Sequence, residues 1–146
     1  MRRPYTWNEL RTTYAAADPA QVTRLFSFRS SHRYTQVHVG GTTWRYIACG
    51  RGKRAILFLP GAFLEADMWF NQILALEDDF RIIAPDAYAL QGVFDVKLIC
   101  RALVRSLEAE GIERATVVGI SAGGGLAQVL LQTYPERVDH VVFSHC

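Results

Sequence analysis

The segment Val117-Val118-Gly119-Ile120-Ser121-Ala122-Gly123-Gly124 carries the most specific chemical signal in the sequence. It sets a serine within Gly-x-Ser-x-Gly, after an apolar run that reads as a buried strand (115–120) and before an apolar-periodic segment that reads as a helix (122–134). The spacing has a mechanical purpose. A sharp turn at Ser121 lifts the hydroxyl out of a sheet at the C-terminal end of the strand, and Gly119 and Gly123 let strand and helix approach closely. The same turn puts Ser121 at a helix N-terminus, where free N–H groups and the helix dipole favour a developing negative charge. Ser121 is therefore the candidate nucleophile for acyl transfer. A phosphate-binding loop is the competing use of a glycine-rich strand-to-helix turn. No Gly-Lys-Ser/Thr follows, however, and Gly119-Ile120-Ser121 breaks the dinucleotide pattern Gly-x-Gly-x-x-Gly.

Acyl transfer through a serine also needs two N–H donors aimed at the carbonyl oxygen as it becomes an oxyanion. The backbone N–H of Ala122 supplies one. The second is expected from the loop that ends the apolar run Leu57-Phe58-Leu59-Pro60-Gly61-Ala62-Phe63, with Ala62 the leading position and Phe63 next. Neither role uses a side chain, so alanine is acceptable at both places.

Positioning these groups takes a parallel sheet. Ala55–Leu59 is continuously apolar, as a strand covered on both faces must be. Residues 66–77 read as a helix on Trp69, Ile73 and Leu76, and residues 80–84 as a strand closed by Pro85-Asp86. Residues 93–109 read as a helix with Val96, Ile99, Leu103 and Leu107 on one stripe, stopped by Gly111. Tyr134-Pro135 ends the helix that follows Ser121, and Val138–Ser144 is a last strand. Three β-α-β units in succession predict an α/β architecture with a mostly parallel sheet and helices on both faces. Upstream, Val37 and Val39 alternate with polar residues, Gly40-Gly41 turns the chain, and Trp44 and Tyr46 alternate on the return: a β-hairpin. Residues 6–28 read as helical, with Trp7, Leu10 and Tyr14 at helical spacing and Asp18-Pro19 starting a second stretch. The expected organisation is an N-terminal helical extension, residues 1–33, and a core, residues 34–146.

Composition supports an ordinary globular chain and little else. Of 146 residues, 50% are hydrophobic and 21% charged, which excludes disorder. The net charge of +2 calls for no nucleic acid. Residues 1–54 carry ten Lys/Arg against two acids, and the remainder six against twelve, yet the basic residues are scattered and read as a solvated face. Cys49, Cys100 and Cys146 form no Cys-x-x-Cys and no paired Cys/His spacing, which argues against a disulfide framework and a structural zinc site. No apolar run is long enough to span a bilayer, and no apolar stretch follows Arg2-Arg3 as a signal peptide requires. A cytoplasmic location is the resulting expectation.

Taken together, the order of elements, the strand ending Pro60-Gly61-Ala62 and the Gly119–Gly124 motif resemble the first half of an α/β-hydrolase-fold protein. The likeness covers residues 34–146. Within that superfamily, Trp44-Arg45-Tyr46-Ile47, the segment from Trp69 to Leu76, and Tyr134-Pro135-Glu136-Arg137-Val138 resemble the maspardin-like branch and its bacterial relatives. The resemblance implies a serine nucleophile, hydrolysis of an ester-like bond in a small-molecule substrate, and no cofactor or metal.

It also implies groups that are missing. In this fold the triad runs Ser, then Asp or Glu, then His. Of the acids and histidines after Ser121, Glu136, Asp139 and His140 belong at the opposite end of the sheet. His145 is on the correct edge but not where the family's base is found. Asp86, also on the correct edge, resembles a structural aspartate of many relatives. Val141-Val142-Phe143 is apolar on both faces, as in a central strand, so ending the sheet there leaves an edge open to self-association through residues 138–144. The expectation is a fold truncated after its sixth strand and nearly inactive alone, its acid and histidine lying beyond Cys146. A non-catalytic binding or adaptor protein on the same fold is the alternative.

Overall fold

The computed structural model describes residues 7–146. The start of the N-terminal extension, residues 1–6, lies outside the described residues. The chain divides into two compact units, Met1–Ser31 and His32–Cys146.

The first unit holds α1 (Trp7–Thr13) and α2 (Pro19–Ser31). Asp18 starts α2: its side chain accepts from the Ala20 N–H at 3.0 Å, and its carbonyl accepts from Val22 at 3.1 Å. Proline at the first helical position loses only an N–H that no helix would use. The second helix runs to Ser31, three residues past the periodic pattern.

The second unit is a six-stranded sheet made of β1 (Tyr34–Val39), β2 (Thr42–Cys49), β3 (Arg54–Leu59), β4 (Phe80–Pro85), β5 (Ala115–Ile120) and β6 (Val138–Ser144). Its order is β1-β2-β4-β3-β5-β6. The hairpin β1–β2 closes through Gly40 (φ 60°) and Gly41 (φ 76°), the two positive angles a two-residue turn needs to match strand twist. β2 joins β4 antiparallel; the other pairs are parallel.

Both faces of the central strands β3 and β4 are covered, and the strands sort their side chains between them. Leu57, Leu59, Ile83 and Tyr46 point into a cluster with Ile99, Leu103 and Leu107 of α4 (Val96–Ala109) and with Leu126 and Leu130 of α5 (Ala122–Thr133). Their neighbours Ile56, Phe58, Ile47 and Ile82 are equally buried on the other face, where α3 (Phe70–Leu76) contributes the buried Ile73. Phe58 stacks on Trp69 there, ring centroids 4.7 Å apart.

Element boundaries moved where hydrogen bonds decided them. The helix expected over 66–77 divides into a 3₁₀ turn, Ala66–Trp69, and α3; the first N–H of the turn goes to the Asp86 carboxylate instead of to a local cap. The helix expected from residue 93 begins at Val96, because the Asp95 side chain caps the N–H groups of Lys97 and Leu98. At the other end of α4, Gly111 (φ 63°) lets the Ile112 N–H reach back to the Leu107 carbonyl at 2.8 Å. β6 pairs only with β5 among the described strands, leaving Val142 and Phe143 about half exposed.

Candidate active site

Strand order places the site before any side chain does. From β3 the chain steps to β4 on one side, then crosses through α4 to β5 on the other. The connections after β3 and β5 therefore diverge, and a crevice opens at the carboxyl ends of those two strands, where ligands bind in open α/β sheets. Leu59 and Gly119 are register partners across this pair, so Pro60-Gly61-Ala62 and Ile120-Ser121-Ala122 leave the sheet side by side.

Ser121 is exposed and has φ 51° and ψ −121°, a backbone conformation that costs a non-glycine residue about 1–3 kcal/mol. It sits at the cap position of α5, yet its hydroxyl makes no capping hydrogen bond. The helix instead starts on main chain alone, the Ser121 carbonyl accepting from Gly124 at 2.9 Å and Gly125 at 3.4 Å. The hydroxyl is thus held above the first turn of the helix without being consumed by it.

The flanking glycines have a measurable reason. A Cβ on Gly119 would lie 2.5 Å from the Gly123 carbonyl oxygen. One on Gly123 would strike the Leu59 carbonyl and lie 2.7 Å from the oxygen of Pro60. Strand, helix and the neighbouring loop meet backbone to backbone, and a methyl group at either position would push them apart.

The loop after β3 is built as a tight turn against the serine. A Cβ built on Gly61 would lie 3.8 Å from that of Ser121. The Leu64 N–H bonds the Gly61 carbonyl at 3.3 Å, so Ala62 and Phe63 are the central turn residues. Phe63 takes φ 62° at the third turn position, where glycine is the usual occupant, and stands 66% exposed. Exposed Leu64 and Phe94 line the same edge of the sheet.

Asp86 anchors this loop from behind. One carboxylate oxygen accepts the Ala66 N–H at 2.9 Å, the other lies 3.5 Å from Arg45 Nε, and the Ala87 N–H bonds the Leu64 carbonyl at 2.9 Å. Arg45 is itself stacked over the Tyr34 ring at 4.2 Å. Burial raises the Asp86 carboxyl above its ordinary value, although the Ala66 N–H and the Arg45 charge pull the other way. Resemblance marked Asp86 as structural; that it holds the loop after β3 was not legible, because Ala66 and Arg45 meet it only across the fold.

The acids and histidines after Ser121 stand as follows. Asp139 lies at the far end, at a bulge between β5 and β6, bonded to Arg114 at 2.6 Å. Glu136, in the 3₁₀ turn before β6, and His140, paired with Thr116, are exposed at that same end. His145 is on the serine's edge, with φ 54° and its ring 2.9 Å from the Ser144 hydroxyl. The neighbouring Cys146 thiol reaches the Gly119 carbonyl at 3.5 Å.

Comparison with known proteins agrees with this geometry at the level of class. The model of the α/β hydrolase fold family matches residues 54–145, and the chain belongs to that family. It is 33% identical over 128 residues to a 2-hydroxy-6-oxononadienedioate/2-hydroxy-6-oxononatrienedioate hydrolase of Paraburkholderia phymatum, covering 77% of this chain and 44% of that protein. It is 32% identical over 112 residues to the dihydrolipoyllysine-residue acetyltransferase component of an acetoin cleaving system from Cupriavidus necator, covering 72% of this chain and 30% of that one. An epoxide hydrolase from Vigna radiata shares the fold with a TM-score of 0.68 at 23% identity, over 78% of this chain and 40% of its own. The chain therefore spans less than half the length of the relatives it matches. Among the described residues, no helix is long and apolar enough to cross a membrane.

Proposed function

We propose that this chain carries the nucleophile half of a serine hydrolase. Ser121 Oγ attacks the carbonyl carbon of an ester-like bond, and the N–H groups of Ala122 and Ala62 hold the oxyanion that forms. Collapse of that intermediate expels the leaving group and leaves an acyl-Ser121, which water then cleaves. Gly119 and Gly123 keep the turn tight enough to present the hydroxyl. The observation that carries the reading is the strained Ser121 backbone, at the cap of α5 and against the loop after β3, with its hydroxyl unused by the helix. Strain persists where surrounding structure enforces it, and it clusters at functional sites. Exposed Phe63, Leu64 and Phe94 around that edge suit a small, largely apolar substrate.

The general base and its acid are, in this reading, contributed by sequence following Cys146, which would also cover β6. Without a base the serine is a weak nucleophile, so the 146 residues alone turn over slowly. The relative in Paraburkholderia phymatum is named a hydrolase, which supports hydrolysis as the kind of reaction. The finer likeness to the maspardin-like branch rests on the three short segments at 44–47, 69–76 and 134–138. Three free cysteines accord with a cytoplasmic setting.

The first test is to read the coding DNA past the codon for Cys146. An in-frame continuation with an acidic residue and then a histidine, each just after an apolar strand pattern, is expected. The encoded product is then exposed to a fluorophosphonate probe. Labelling at Ser121, abolished in Ser121→Ala, supports the enzyme. A folded product that stays unlabelled overturns it and leaves a non-catalytic adaptor, for which the apolar edge at 138–144 would be the contact surface or a site of self-association.

A further inference from the structure

The end of the sheet opposite Ser121 holds a second cluster of reactive side chains. His32 lies two residues before Tyr34, which pairs with Ile47, and Cys49 lies two residues beyond Ile47 on β2. Cys49 ends β2, and its side chain shares a face with α3, whose C-terminal cap is Glu77. Three residues distant in sequence thus converge: the His32 nitrogen, Cys49 sulfur and Glu77 oxygen all lie within 4.8 Å of one another. His32 Nε2 and Glu77 Oε2 are 2.7 Å apart, with the histidine side chain 9% and the glutamate side chain 27% exposed.

We propose that His32, Cys49 and Glu77 form a binding site for a zinc-class divalent cation. Thiolate, imidazole and carboxylate are the donors zinc takes, and a thiolate disfavours magnesium and calcium. Bonds of about 2.0–2.3 Å in tetrahedral geometry put donor atoms roughly 3.3–3.6 Å apart. The present atoms need shifts of about an ångström to reach that. Charge closes as well: one thiolate and one carboxylate neutralise a dication, and neutral imidazole adds nothing, which suits a half-buried site. On binding, the Cys49 thiol gives its proton to solvent, and the His32–Glu77 hydrogen bond is exchanged for two coordination bonds. Burial, and next the Glu77 charge, push that thiol up to about 12, so the metal-free site holds it as a neutral thiol. Glu77 also lines an open pocket with Gly50, Arg51 and Asp78, and a water would serve as fourth ligand. Such an ion would pin the start of the β1–β2 hairpin to the end of α3. The Cys/His spacing that local zinc motifs show is absent here because the three ligands meet through strand register, not along one segment.

The test uses the purified protein, zinc alone and a chromogenic chelator as competitor. One equivalent of zinc per chain is expected, with a Tm that rises with zinc concentration. Replacing zinc with cobalt should give a thiolate-to-cobalt charge-transfer band. His32→Ala and Cys49→Ser should each weaken binding by at least ~100-fold, more than loss of a mere supporting group costs. Glu77→Gln serves as a further variant where either fails to fold by circular dichroism. Cys146→Ser should bind as the parent does. No zinc retained against the chelator, a cobalt complex without the thiolate band, or binding lost with Cys146 and kept without Cys49 would overturn the site. None of these readouts depends on Ser121.

Discussion

The two ends of the parallel sheet are built on opposite rules. At the carboxyl end, Ser121 and Phe63 hold positive φ angles without being glycine, and the bulky apolar Phe63 and Leu64 face outward. Strand, helix and loop there meet through bare backbone at Gly119 and Gly123. At the amino end, charges are matched: Arg114 with Asp139 at 2.6 Å, Arg137 with Glu108 at 2.7 Å, and Arg51 with Asp78 at 2.6 Å. Arg81 reaches the carbonyls of Glu110 and Gly111 there, closing the C-terminus of α4. One end accumulates strain and keeps the Ser121 hydroxyl out of the helix cap; the other spends its charged side chains on ion pairs. The proposed Ser121 chemistry would use the first kind of surface, because an enforced geometry is what a transition state can exploit.

The sharpest way to break the contrast is to remove one proposed oxyanion donor without touching a side chain that packs. Ala62 occupies the second position of its turn, where proline is favoured, so Ala62→Pro deletes the N–H and keeps the turn. Ser121-dependent fluorophosphonate labelling or ester turnover should then fall by roughly 10²–10³, the cost of an oxyanion donor, with circular dichroism unchanged. Unaltered labelling would remove Ala62 from the site.

Next in size is the backbone contact itself. Gly123→Ala drives a methyl into the Leu59 carbonyl and should lower stability by about 1–3 kcal/mol in urea unfolding. Gly125 lies two residues along the same helix, exposed, with nothing within 4 Å of its would-be Cβ. Gly125→Ala should therefore stabilise by up to about 1 kcal/mol. If the two substitutions behaved alike, close packing at the turn would not explain the motif.

The contrast between the two alanine substitutions also marks what the sequence could and could not reveal. The turn at Ser121 was legible because its requirements are local: small residues two positions away, an apolar strand before and a helix after. The hairpin was legible for the same reason, through Gly40-Gly41. By contrast, the split of residues 66–77 into a 3₁₀ turn and a shorter helix was decided by Asp86, twenty residues away. The meeting of His32, Cys49 and Glu77 depends on hairpin register and on where α3 ends. Local spacing carries neither. β6 has the apolar pattern of a central strand and lies, as expected, at the open edge of the described sheet; the pattern reports which faces are to be covered and not what covers them.

Asp86 gives the comparison a pH axis. Its carboxyl is raised above 3.8 in the folded state, mainly by burial. A group whose folded value lies above its unfolded one stabilises the fold fully below the unfolded value, and that contribution is lost as pH rises through the folded value. Asp86→Asn removes the titration. The stability of the parent minus that of the variant should therefore decline as pH is raised from 3.8, then level off above the folded value. A difference that grew with pH would mean that the Arg45 charge, not burial, governs the loop anchor.

The smallest effect is expected at the amino end, and its smallness is the point. Asp139 and Arg114 are each more than two-fifths exposed, so their ion pair works in high dielectric and is screened by salt. Asp139→Asn should cost no more than about 1 kcal/mol, and less still at high ionic strength. It should leave Ser121 labelling untouched. Asp139 stands at a bulge where β6 begins, so the parallel pairing of Val141–Ser144 with β5 carries on beyond it without the carboxylate. A loss of several kcal/mol would show instead that the bulge depends on this carboxylate, and that the amino end is strained in its own way.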